Sequence, residues 1–181
     1  TCTVADTLGN TYVLQTEIFN AAGDNNHFTF YAANIAGGAN TVTATYGVAQ
    51  DFRRIEIAEY SGVATASPAD GFTGQFQTTT TTPTSGSITT TANGDLVVGG
   101  IQNVSQTGDG TGTVDAGSGY TERQQLGTWI GSLEDQVQTA AGSIAATWTL
   151  DAAKDCICTI QAFKAVAAAA ARQRTLIGVG I

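Results

Sequence analysis

His27 is the one histidine of the chain, so a Ser-His-Asp triad would have to be built on it. It follows Asp24-Asn25-Asn26 at a strand edge, and the sequence holds no G-x-S-x-G nucleophile elbow. Glycoside hydrolysis needs two carboxylates aimed into one cleft. Glu56 and Glu59 are the best pair, but residues three apart in a strand face opposite ways, and the adjacent Glu134 and Asp135 diverge too. Asp24-Asn25-Asn26 and Gly108-Asp109-Gly110 are fragments of oxygen-rich calcium loops, yet neither completes the pattern, and turn chemistry explains them. Cys2, Cys156 and Cys158 do not have zinc-ligand spacing. Cys156 and Cys158, two apart, share one strand face. Two arrangements stay open: buried free thiols, or a bridge from Cys2 to Cys156 or Cys158. The expectation is a chain that is not an enzyme, with no catalytic residue, metal or cofactor.

The elements around these residues read as short alternating runs separated by Gly, Asn and Asp turns, the pattern of an antiparallel sandwich. Strands are expected over 1–6, 11–15, 27–34, 40–46 and 52–60. Two more fall in the threonine-rich stretch 75–91, broken at Pro83 and Gly86, and one in the apolar run 96–101. The last four are 120–126, 128–137, 143–150 and 156–166. Within 52–60, Ile55, Ile57 and Glu59 share a face with Arg53, and salt bridges among Arg53, Arg54, Glu56, Glu59 and neighbouring strands follow. Helix propensity is high only over 165–174.

The chain has 181 residues, enough for one all-β domain with a real core. Charged residues make up 12%, about half the usual ~25%, so its polarity rests on Thr, Ser, Gly, Asn and Gln. The formal net charge of −8 argues against a general nucleic-acid binder, which needs a basic face. No stretch reads as a membrane span or a secretory leader. The chain opens at Thr1 without Met, as a processed product or part of a longer protein would.

Charge is uneven. Residues 159–181 hold Lys164, Arg172 and Arg174 and no acid, while all fifteen acids lie in 1–158. An alanine run, Ala167 to Ala171, leads through Arg172 and Arg174 to Leu176, Ile177, Val179 and Ile181. Four large aliphatic side chains invite burial, against the chain's own body or a neighbour. The expected division is therefore a β-sandwich domain over 1–165 and a C-terminal assembly arm over 166–181. Among the aromatics, Trp129, between Gly127 and Gly131, is the candidate exposed platform for a glycan.

The strand motifs carry a resemblance. They run Asp6-x-x-Gly9-Asn10-x-Tyr12, Phe30-Tyr31-Ala32-x-Asn34 and Gly38-Ala39-Asn40-Thr41-Val42-Thr43. Then come Ile55-Glu56-Ile57-x-Glu59-Tyr60-Ser61-Gly62, Ala116-Gly117-x-Gly119-Tyr120-Thr121-x-Arg123 and Ala162-Phe163-Lys164. Over about residues 4–165 this resembles a poorly characterised group of jelly-roll-like β-sandwich modules in large bacterial surface or secreted proteins and in phage virion proteins. Such modules begin with further strands before the Asp-x-x-Gly-Asn turn, so the resemblance implies an open strand position here. The apolar stretch 175–181 is suited to cover it, in cis or from a neighbour. The expected protein is a structural subunit or decoration component of a virion or an extracellular filament, at a virion or cell surface. Its partners would be copies of itself or another structural protein. The competing reading is a module for surface glycans.

Overall fold

Threonine and β-branched residues in alternation fit a pleated, half-buried surface, and turn residues between them let the chain reverse every few residues. The computed structural model describes residues 1–20, 25–49, 53–104, 111–125 and 130–167, and among these the fold is an all-β antiparallel sandwich with no helix. Its strands are β1 (Cys2–Asp6), β2 (Tyr12–Asn20), β3 (Asn25–Ala32), β4 (Val42–Tyr46), β5 (Ala69–Thr80) and β6 (Thr84–Thr89). They continue with β7 (Asp95–Asn103), β8 (Val114–Ala116), β9 (Thr121–Gln125), β10 (Gly131–Gln138), β11 (Ser143–Leu150) and β12 (Lys154–Phe163).

A five-stranded sheet of order β5-β12-β7-β10-β9 faces a three-stranded sheet of order β6-β11-β8. Val97, Ile101, Cys156, Cys158, Ile160 and Ala162 from the larger sheet meet Ile88, Ala146, Trp148 and Leu150 from the smaller. The sheets approach so closely at Gly99 that a Cβ there would lie 2.6 Å from the Ala146 Cβ. The β2–β3 hairpin covers the other face of the larger sheet: Ile18 abuts Gly74, Tyr31 stacks on Phe163 at 5.5 Å, and His27 reaches Gln102 and Thr159. β1 and β4 form a separate antiparallel pair.

The motifs that carried the resemblance are structural knots. Asp6 accepts hydrogen bonds from the Leu8 and Asn10 backbone N–H groups, from Asn10 and Asn40 Nδ2, and from the Tyr12 hydroxyl at 2.9 Å. Those donors hold its carboxyl well below the usual range. The Asp-x-x-Gly-Asn-x-Tyr spacing thus closes the β1–β2 turn and ties it to the residues before β4.

One strand expectation is corrected. Phe52 lies outside the described residues, and residues 53–60 form no strand. They run without turn or bend, and 55–60 have no ladder partner among the described residues. Ile55, Ile57 and Glu59 are exposed, while Glu56 and Tyr60 are half-buried.

Candidate interaction surface

Two sheet edges of the larger sheet differ. The β5 edge is tied to β6 through the Gln75 and Gln77 side chains, whereas among the described residues β9 pairs with β10 alone and all five of its residues are exposed. Residues 55–60 lie beside β9, joined to it by Gln124 Nε2 donating to the Ile57 carbonyl at 2.9 Å. Between them runs an open groove of about 590 Å³ lined by Ile55, Ile57, Arg123, Gln124 and Gln125. A smaller hollow beside it adds Ala58, Glu59 and Tyr60. Ile55 and Ile57 are each 49% exposed, so the apolar floor of the groove is in contact with water.

The groove wall is pinned from beneath. Arg123 forms a two-pronged bond to the buried Asp135, Nε to Oδ2 at 2.7 Å and Nη2 to Oδ1 at 2.9 Å. A bidentate guanidinium–carboxylate pair fixes geometry as well as charge. Burial and the adjacent Asp135 carboxylate push the Tyr60 hydroxyl above its ordinary range. Glu56 is pushed up to about 7 by burial, which the neighbouring Arg54 only partly offsets. The chain returns to this place at its last described residues: Val63 bridges Ala165, and Val166 N–H donates to the Gly62 carbonyl at 2.8 Å.

Residues singled out in the sequence fall elsewhere. Arg172, Arg174, Leu176, Ile177, Val179 and Ile181 lie outside the described residues, as does Trp129. Among the groove and hollow linings Tyr60 is the one aromatic. Cys2, Cys156 and Cys158 are free thiols. The Cys2 bridge is thus not formed: Cys2 sits on β1 paired with β4, whereas Cys156 and Cys158 point together into the core from β12. Burial pushes both core thiols well above their ordinary range, which leaves them inert.

His27 is held beneath the β2–β3 hairpin, with Nδ1 3.0 Å from Gln102 Oε1 and Nε2 3.4 Å from Thr159 Oγ1. Burial lowers its pKa and keeps it neutral, with Nδ1 carrying the proton that Gln102 accepts. Its ring nitrogens meet an amide and a threonine hydroxyl, the partners of a packed histidine rather than of a charge-relay base. Glu134 and Asp135 do diverge, Glu134 into the sandwich interior and Asp135 toward Arg123, and both are buried. Glu134 accepts from the Gly117 N–H at 2.8 Å, and burial pushes it up to about 7.

A second polar knot was not visible in the sequence. Asp70 on β5 accepts from the backbone N–H and hydroxyl of Thr91 and pairs with Lys164 Nζ at 3.3 Å. Asp95, fully buried at the start of β7, lies against Asp70, and no N–H or hydroxyl of a neighbour reaches its oxygens. Below about pH 6 its carboxyl holds a proton that it shares with Asp70. Burial first, then the Asp70 charge, push Asp95 up to about 6, while Asp70 stays well below the usual range. Asp70, Lys164 and the Thr91–Asp95 stretch are far apart in the sequence, and the pairing of β5, β12 and β7 brings them together.

Among the described residues, no group of three or more His, Cys, Asp or Glu side chains is placed to hold a metal ion. Nor is any helix long and apolar enough to cross a membrane. No protein-family model matches the chain, and the searches of curated proteins and of solved structures give no match.

Proposed function

We propose that this chain is a structural subunit, built to assemble with copies of itself or with another structural protein of a virion or an extracellular filament. Assembly runs through an exposed sheet edge and the apolar C-terminal arm. The observation that carries this reading is the β9 edge with its flanking groove, where two isoleucines stay half-exposed beside a strand that, among the described residues, pairs on one side alone. A sheet edge with unpaired N–H and C=O groups is a template for another strand, and an apolar strip beside it adds the driving force of burial. The resemblance to modules of phage virions and bacterial surface proteins agrees with this reading, as does the uneven distribution of charge between body and arm.

Removal of residues 172–181, followed by light scattering at matched concentration, tests the proposal. The full chain is expected to form a defined oligomer and the shortened chain to fall to smaller species. Equal mass in both would refute an assembly role for the arm.

A further inference from the structure

We infer that Lys164 and Asp70 are the two halves of an amide cross-link within the chain: Lys164 Nζ condenses with the Asp70 carboxyl, Asp95 carries the protons, and water leaves. This inference is independent of the assembly reading.

Strand pairing builds the site. β12 lies between β5 and β7. On one side Phe163 pairs with Ala69, and the Lys164 N–H donates to the Pro68 carbonyl at 2.7 Å, so Asp70 sits beside the end of β12. On the other side Phe163 pairs with Leu96, and the next step of that register sets Lys164 opposite Asp95. One step further, a Cβ on Gly94 would lie 3.8 Å from the Ala165 Cβ, as the same register requires. Side chains that face each other across antiparallel neighbours are within mutual reach. Lys164 Nζ stands 3.3 Å from Asp70 Oδ1, the separation of a reacting pair already held in place. The Asp70 side chain is 4% exposed, so little water competes for its carboxyl.

An ordinary ion pair leaves Asp95 unexplained. Burying a second carboxyl against the first is costly unless it serves a purpose. Asp95 is fully buried against Asp70, and no N–H or hydroxyl of a neighbour reaches its oxygens. Pushed up to about 6, it can give and take a proton near neutrality. The Thr91 N–H donates to Asp70 Oδ2 and the Thr91 hydroxyl to Oδ1, the oxygens on which negative charge grows when the carboxyl carbon is attacked.

The step balances without another reactant. One proton passes from the Lys164 ammonium to Asp70, which gives a neutral amine and a neutral acid. The Nζ lone pair then forms a bond to Asp70 Cγ. The Cγ–O bond breaks, and that oxygen leaves as water with its own hydrogen and the Asp95 proton. The surplus proton on Nζ returns to Asp95. Thr91 favours the Asp70 carboxylate, so the neutral pair is the rarer form, but the bond is made once per molecule and a rare form suffices. Tension arriving from beyond Lys164 would then meet a covalent bond before the hydrogen bonds of β12.

Intact mass of the full chain under denaturing conditions tests this. The unaltered chain is expected to weigh one water less than its sequence, and its tryptic digest to hold one branched peptide joining Asp70 to an uncleaved Lys164. Lys164→Arg keeps the positive charge and should restore the full sequence mass. Asp95→Asn keeps a donor beside Asp70 and should also retain the full mass, with a circular dichroism spectrum like that of the unaltered chain. Asp70→Asn should close the same bond with loss of ammonia in place of water. A full sequence mass in the unaltered chain overturns the inference. So does a loss of water that survives Lys164→Arg, which is the mark of Asp70 cyclising onto the Gly71 nitrogen. A cross-link that forms equally well in Asp95→Asn overturns the role of Asp95.

Discussion

The two edges of the five-stranded sheet are treated in opposite ways by the same chain. At β5, Gln75 Nε2 donates to the Thr84 carbonyl at 2.8 Å, and Gln77 Oε1 accepts from the Thr84 N–H at 2.7 Å. Those amides tie β5 to the backbone of Thr84 at the edge of the smaller sheet, and the β2–β3 hairpin presses on the outer face of the strand. At β9 the strand is short, wholly exposed and flanked by half-exposed isoleucines. One edge is thus tied to a neighbouring strand, and the other stands exposed among the described residues. The difference teaches that the open edge is a choice of surface and not a general looseness of the fold.

The largest effect is expected at the closed edge. A Cβ on Gly74 would lie 2.8 Å from Thr159 Cγ2 and 3.1 Å from Ile18 Cγ1. Gly74→Val should therefore cost about 1–3 kcal/mol through overpacking, read as a lower midpoint in urea. An unchanged midpoint would show that the hairpin does not grip β5.

The next effect is on pH. Asp95 at about 6, with Glu56 and Glu134 at about 7, all titrate higher folded than unfolded. Each favours the folded state when protonated, so their contribution is complete below the ordinary carboxylate range and is lost as pH rises through about 6 to about 7. Asp6 and Asp70, held low, act oppositely and lose their contribution only in strong acid. Stability should therefore peak in mild acid and decline toward neutrality. Asp95→Asn, whose amide donates to Asp70 at every pH, should flatten part of that decline. A thermal midpoint that climbs steadily from pH 5 to pH 8 would contradict the assignment.

Smaller still, Gln77→Ala should cost about 1 kcal/mol by leaving the Thr84 N–H without its acceptor. At the open edge, Ile57→Ser should change monomer stability by no more than about 0.5 kcal/mol, since the side chain is half in water. A cost at Ile57 as large as that at Gly74 would erase the contrast between the two edges.

Much of this fold was legible in the sequence because alternation and turn residues are local signals. Val42 and Ala44 face in and Thr43 and Thr45 out, as their spacing requires, and the apolar run at 96–101 became the central strand β7. Residues 53–60 misled for the same reason. Alternating Ile55 and Ile57 satisfy the pattern of a strand, but a strand also needs a ladder partner, which no local pattern encodes. Alternation also shows which residues go together and not which group goes inside: Ile55 and Ile57 are exposed while Glu56 is half-buried. Asp70, Asp95 and Lys164 could not be found by spacing, since they meet only where β5, β7 and the residue after β12 come together. The open β9 edge was foreseen only in kind: the open position was expected before the first strand, and the structure places an exposed edge elsewhere.

Hydrogen–deuterium exchange of the full chain, compared between dilute and concentrated solution, tests the assembly of this edge most directly. The account predicts that amides of residues 55–60 and 121–125 slow markedly on concentration while those of β7 and β12 stay as they were. Exchange at 55–60 that is equally fast under both conditions would contradict it.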